Sequence, residues 1–183
     1  KFTRDGGFLE AWGESGSGDG QFDRPWGITL DGNGDVYVVD WGNDRVQKFG
    51  ADGTFLMAVP RPGESGADLD HPAGVAVDSE GDIYVTDWGN KRVQIYDPDG
   101  DILTTLWGDA HVFSKWAQVA IDSNPDAGKA YRRVKDTSQM ARFQRPVGIA
   151  IDEQDRIIIT ENARNRLQIY IKEKDYMDPQ FNL

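Results

Sequence analysis

Residues 25–53 read PWGITLDGNGDVYVVDWGNDRVQKFGADG, and the same pattern returns over 72–100 as PAGVAVDSEGDIYVTDWGNKRVQIYDPDG and over 146–174 as PVGIAIDEQDRIIITENARNRLQIYIKEK. Pro72 follows Pro25 by 47 residues and Pro146 follows Pro72 by 74, so 27 extra residues interrupt the second interval. A period in the forties built of several short strands predicts propeller blades. Within the first copy GITL, VYVVD and RVQKF are rich in β-branched and aromatic residues and are separated by the turn clusters DGNGD and DWGND. FLMAV, beyond a further ADGT turn, supplies a fourth strand. The near-continuous apolar runs VYVV, IYV and IIIT fit sheets stacked radially and buried on both faces.

The shared pattern is P-x-G-[IV]-x-[LVI]-D, a turn, then [VI]-Y-V-x-D-W-G-N-x-R-V-Q, an aromatic residue and D-G. This resembles the NHL repeat, with Asn43-Asp44-Arg45-Val46 and Asn90-Lys91-Arg92-Val93 in the signature segment and Arg164-Asn165-Arg166-Leu167 departing from it. The resemblance implies an all-β propeller of four-stranded antiparallel blades, usually six to a ring.

The expected organisation is a single partial propeller over 1–183 with an outer strand at 8–11, blades at 25–59 and 72–106, and a last blade at 146–171 lacking its outer strand. A helical insertion is expected over 107–142, where Ser114 and Asn124-Pro125-Asp126 carry helix-start signals. Lys1-Phe2-Thr3-Arg4-Asp5-Gly6-Gly7-Phe8-Leu9 aligns with the stretch from Lys48 to Leu56, so the chain is expected to open inside a strand of a longer protein. Three blades are too few for a ring of four to eight and expose a strand edge and two apolar faces. Two remedies are expected: self-association head to tail into a two-fold six-bladed ring, each copy lending its Phe8 strand to the other, or a missing half supplied separately. In both, Lys1–Thr3 and Ile169–Ile171 claim one lattice position.

Composition narrows the partners. Thirty-one acidic against 20 basic residues give a net charge of −11, a field that repels phosphate backbones and argues against nucleic acid. No segment reaches the roughly 20 apolar residues of a membrane span. The absence of cysteine removes disulfides, thiolate metal sites and cysteine nucleophiles. Localisation is not readable.

Residues demanded by the blade should recur in every copy, and residues serving recognition should differ. Asp40 with Arg45, Asp87 with Arg92 and Glu161 with Arg166 recur, and are expected to be intrablade ion pairs. Before the repeated proline stand Arg24, His71 and Arg145, and after it Trp26, Ala73 and Val147; Trp41 and Trp88 occupy the DWGN turns where the third copy has Asn162. Arg24, Trp26, His71, Arg145, Trp41 and Trp88 are therefore the candidate ligand-binding residues, at the top face and channel mouth. Guanidinium forks suit carboxylates and phosphates, and indoles suit sugars, prolines or cations. Neutralisation of the arginines by nearby acids such as Asp23, and wedging of the indoles between blades, are the structural alternatives.

No metal or cofactor is expected. Asp31-Gly32-Asn33-Gly34-Asp35, Asp78-Ser79-Glu80-Gly81-Asp82 and Asp97-Pro98-Asp99-Gly100-Asp101 imitate the start of a calcium loop, but the first lacks the bidentate glutamate at loop position 12, where Gly42 stands, and all are turn compositions. The expected role is a non-catalytic binding scaffold. The alternatives implied by the resemblance are a metal-dependent propeller enzyme similar to the peptidyl-hydroxyglycine amidating lyases, or an extracellular sensor domain. Against the enzyme, only His71 and His111 are present, and His111 falls in the insertion.

Overall fold

The strands form because each blade alternates β-branched runs with turns that close on their own carboxylates. Asp31 Oδ1 accepts the N–H groups of Asn33 and Asp35 at 2.9 and 3.0 Å. Asp78 does the same for Glu80 and Asp82 at 2.9 and 3.0 Å, and Asp152 for Gln154 and Arg156 at 3.0 Å each. These carboxylates imitate a calcium loop because they hold the turn's backbone, which is why Asp leads each turn.

A computed structural model describes residues 1–61, 66, 68–109, 115–134 and 138–172. A two-residue parallel pair, β1 (Glu14–Ser15) and β2 (Gln21–Phe22), precedes the first blade. That blade is an antiparallel meander of β3 (Pro25–Leu30), β4 (Val36–Asp40), β5 (Arg45–Phe49) and β6 (Phe55–Val59). The second repeats it as β7 (Pro72–Val77), β8 (Ile83–Asp87), β9 (Arg92–Tyr96) and β10 (Ile102–Leu106). The third has β11 (Pro146–Ile151), β12 (Arg156–Glu161) and β13 (Arg166–Ile171), with no fourth strand among the described residues.

The blades stack through two apolar layers. Tyr37, Val39, Val46 and Val59 of the first pack on Val75, Ile83, Val85 and Tyr96 of the second. Tyr84, Val93 and Ile95 on the other side of the second pack on Phe143, Ile157 and Ile159. Each such side chain contributes roughly 1.5–3 kcal/mol by leaving water. The first strands of neighbouring blades run close enough to need glycine: a Cβ on Gly27 would stand 2.7 Å from the Ala73 carbonyl oxygen, and one on Gly74 2.6 Å from that of Val147.

A buried ion pair at the turn between second and third strands ties each blade to the loop that enters it. The side chains of Asp40, Asp87 and Glu161 are wholly buried. Asp87 accepts Arg92 Nε at 2.7 Å, Asn90 Nδ2 at 2.9 Å and the Asp70 N–H at 2.8 Å. Asp40 takes Arg45 Nε, Asn43 Nδ2 and the Asp23 N–H at 2.9, 2.8 and 2.7 Å. Glu161 takes Arg166 Nε, Gln168 Nε2 and the Gln144 N–H. The free ends of the guanidinium groups then hold loop carbonyls: Arg45 those of Gly18 and Gln21, Arg92 that of Asp68, Arg166 those of Met140, Ala141 and Arg142.

The insertion contains α1 (Lys115–Ser123), α2 (Pro125–Arg132) and a short α3 (Ser138–Ala141), one helix more than expected. Asn124 Oδ1 accepts the Asp126 N–H at 3.1 Å and starts α2, with proline at its first position. Ser114 and His111 lie outside the described residues. The Phe143 N–H donates to the Trp107 carbonyl at 2.8 Å, so the excursion leaves and returns at one point.

The expected outer strand at 8–11 is reduced to a hairpin tip. Phe2 bridges Phe8, and the Leu9 N–H donates to the Lys1 carbonyl at 2.9 Å. The Phe2 and Phe8 rings meet edge-on at 5.7 Å, as Phe49 and Phe55 do at 5.9 Å. The tip thus copies the β5–β6 turn, the Thr3 N–H donating to the Gly7 carbonyl as the Gly50 N–H does to that of Thr54, both at 2.8 Å.

Asp87→Ala leaves Arg92 and the Asp70 N–H without their buried acceptor. The expected cost is about 3–5 kcal/mol, measured as a lower urea midpoint, whereas Asp126→Ala on the exposed surface should move it by less than about 0.5 kcal/mol.

Candidate functional site

At one end of the blades the backbone repeats while the side chains change. The residues before the three repeated prolines, Arg24, His71 and Arg145, all adopt left-handed backbone, with φ of 56, 53 and 58°. The turn residues Asp44, Lys91 and Asn165 do the same, with φ of 52, 59 and 49°. His71 and Arg145 face the indole of the preceding blade, Trp41 and Trp88, while Arg24 faces Trp41 of its own blade.

Between the first and second blades this builds an aromatic row. Trp26, 66% exposed, lies 6.2 Å from Trp41, and Trp41 meets the His71 ring edge-on at 4.2 Å. The Arg24 guanidinium sits 4.6 Å from the centre of the Trp41 ring and donates from Nε and Nη2 to the Asp23 carboxylate, both at 3.1 Å. His71 Nδ1 lies 2.5 Å from Asp70 Oδ1, and its backbone N–H donates to Asp44 Oδ1 at 2.7 Å. Both basic side chains here already have acidic partners. Asp44, Asp70 and His71 each offer a ligand atom within 4.8 Å of the others, a donor set that can hold a divalent cation.

Between the second and third blades the same positions carry no acid. The Arg145 guanidinium lies 4.8 Å from the centre of the Trp88 ring. Lys91 occupies the position of Asp44, and Gln144 that of Asp70. Among the described residues no carboxylate pairs with Arg145 or Lys91, and both are exposed. The indole face orients the guanidinium while its edge N–H groups remain available for a carboxylate or phosphate fork.

The six candidates therefore divide. Trp26, Trp41, His71 and Arg24 form one cluster, in which Asp23 answers Arg24; Trp88 and Arg145 form another, in which no carboxylate among the described residues answers the cation. Trp41 and Trp88 are half-buried, packing and presenting a ring at once. Sequence reasoning missed Asp44 and Lys91, although they are the variable residue of the W-G-N-x-R segment and the rule of comparing copies would have found them.

At the opposite end, Asp78, Glu80 and Asp82 converge, and Lys172 Nζ from the third blade donates to all three at 2.7, 2.5 and 2.7 Å. Partial burial works against this ammonium, but hydrogen bonds to Asp78, Asp82 and Glu80 raise its pKa far above the ordinary lysine range. The turn weighed as a calcium loop is thus a clasp between blades.

The rim depends on a glycine beneath each acid. A Cβ on Gly89 would overlap the Asp70 carboxylate. Gly89→Ala is expected to displace Asp70 from His71 and destabilise the protein by about 1–3 kcal/mol; thermal unfolding and the His71 ring resonances report the two effects.

The NHL repeat family model matches residues 22–49, 69–96 and 143–170. Over 38 residues the chain is 55% identical to Protein lin-41 of Caenorhabditis elegans, a match covering 21% of this chain and 3% of that protein. A solved structure of a protein of unknown function from Bacteroides caccae superimposes with a TM-score of 0.54 at 12% identity, covering 96% of this chain and 50% of that one. A virginiamycin B lyase from Staphylococcus aureus gives 0.44 at 16% identity, covering 82% and 42%. The chain spans half or less of each of these proteins, and the structural likeness is one of fold.

Proposed function

We propose that this chain, which carries three NHL repeats folded as consecutive β-propeller blades, is a binding scaffold whose ligands dock on the rim face. The observation that carries this reading is the free Arg145 guanidinium held against Trp88. The wholly buried carboxylates Asp40, Asp87 and Glu161 are saturated by arginine, amide and backbone donors inside the blade, which suits architecture rather than proton transfer. A compact carboxylate or phosphate fits the Arg145 and Lys91 edge, because the net charge of −11 opposes an extended polyanion. A second reading, a metal-dependent site, is favoured by the convergence of Asp44, Asp70 and His71, which brings one imidazole rather than several.

Titration with succinate and with inorganic phosphate, followed by tryptophan emission, separates the readings. The expected result is saturable binding with a Kd of about 1 mM, roughly 4 kcal/mol, lost in Arg145→Ala and retained in Arg24→Ala. No saturable change, or binding indifferent to Arg145→Ala, overturns the anion site. Calorimetric titration with calcium and with zinc tests the second reading: one-to-one binding lost in His71→Ala supports it, and no binding removes it.

A further inference from the structure

Cations without an acidic partner are few in this chain, and they gather in one sector. Within the blades Arg24, Arg45, Arg92, Arg156 and Arg166 each hold a carboxylate. Among the described residues no carboxylate pairs with Arg4, Lys91, Arg132, Arg133, Arg142 or Arg145, and all six are exposed. Lys91, Arg142 and Arg145 stand at the rim between the second and third blades, and Arg132 and Arg133 stand at the end of α2. The sequence carries the same imbalance: residues 107–145 hold seven basic and four acidic residues, whereas the remainder holds 13 and 27. A basic island thus sits on an otherwise acidic body.

The fold brings these cations to one end of the molecule. β7 starts beside His71 and each following strand reverses direction, so β10 finishes at the rim, with Leu106 opposite Val93. The insertion leaves from there at Trp107. Its return is fixed at the same end, because Arg166 holds the carbonyls of Met140, Ala141 and Arg142, each at 2.9 Å. Met140 follows Arg133 by seven residues, so the two lie at most about 25 Å apart. α1 and α2 pack against each other, and Val119 and Val134 are left 51% and 42% exposed. Exposed apolar side chains beside unpaired arginines are what a protein interface uses.

We propose that this sector docks a short acidic peptide segment of a partner protein, one carboxylate on Arg145 and further ones on Arg142 and on Arg132 and Arg133 of the insertion. The inference rests on the anion site at Arg145 and names the partner that site serves. Charge complementarity selects the occupant. A guanidinium held on an indole face offers its edge to a carboxylate, and several such contacts along one segment reinforce each other. A long polyanion or an anionic bilayer would also meet the acidic remainder of the chain, which repels it. A short segment touches the basic sector alone, and apolar residues between its acids can cover Val119 and Val134.

Fluorescence anisotropy with a labelled peptide alternating glutamate and valine, and with its glutamine counterpart, tests this beside the succinate titration. A peptide of about ten residues spans roughly 33 Å when extended and can bridge both groups of cations. The glutamate peptide is expected to bind about ten-fold more tightly than succinate, and the glutamine peptide not to bind. Arg132→Ala combined with Arg133→Ala should bring the peptide down to the level of succinate and leave the succinate titration unchanged, circular dichroism confirming that the helices persist. Arg142→Ala, away from the helices, should weaken the peptide alone, Arg145→Ala both ligands, and Arg4→Ala neither. Equal affinity for peptide and succinate, or peptide binding indifferent to the insertion pair while succinate still depends on Arg145, overturns the docking sector and leaves the anion site standing. Silence of both ligands removes the two together. Tighter binding of a ten-nucleotide oligothymidylate or of phosphatidylserine vesicles through the same arginines would overturn the peptide in favour of a nucleic acid or a membrane.

Discussion

The carboxylate buried beneath each second-to-third strand turn organises everything around it. It fixes the register at which the two strands meet, Asp40 opposite Arg45, Asp87 opposite Arg92 and Glu161 opposite Arg166. Its arginine then reaches across to carbonyls of the entering loop, so a local turn decides how one blade is delivered to the next. A charge in this position is tolerated because both carboxylate oxygens accept hydrogen bonds and an arginine faces one of them. The glutamate of the third blade keeps the arginine and loop N–H donors and takes Gln168 where the other two blades use an asparagine, whose position Arg164 holds.

With the loops held this way, the rim backbone is reproduced even where the sequence drifts. Left-handed residues fall at the same six places whether they are Arg, His, Asp, Lys or Asn. The chain thus offers one geometry with interchangeable chemistry, acid-balanced between the first two blades and cationic between the second and third. That contrast within a single molecule makes the rim, rather than the invariant carboxylate layer, the place to look for recognition.

Much of the fold was legible because repetition exposes what a blade requires: proline, glycine, turn aspartate and the acid–arginine pair recur at fixed spacing. The site was legible only as a set of residues. The sequence separates Arg24 from Arg145 only through Asp23 against Gln144 one residue earlier, and whether Asp23 turns onto its arginine is decided by the fold. The Lys172 clasp was invisible for a similar reason, its partners standing some ninety positions away on another blade. The β1–β2 pair escaped because two residues carry no periodicity, and the strand at 8–11 was overread because an aligned sequence does not supply the neighbour that would make it a strand.

The hydrogen bond from Phe143 to the Trp107 carbonyl has a wider meaning for how such a chain can change. Because the two ends of the excursion meet on the blade, the segment between them is a closed loop, and the entropy of closing it grows only logarithmically, about 0.6 kcal/mol per doubling. The junction behaves as a port: what is spliced there can lengthen, shorten or be exchanged for a separate folding unit at small thermodynamic penalty. New functions can then be added to one sector of the molecule without renegotiating the packing of the blades on either side.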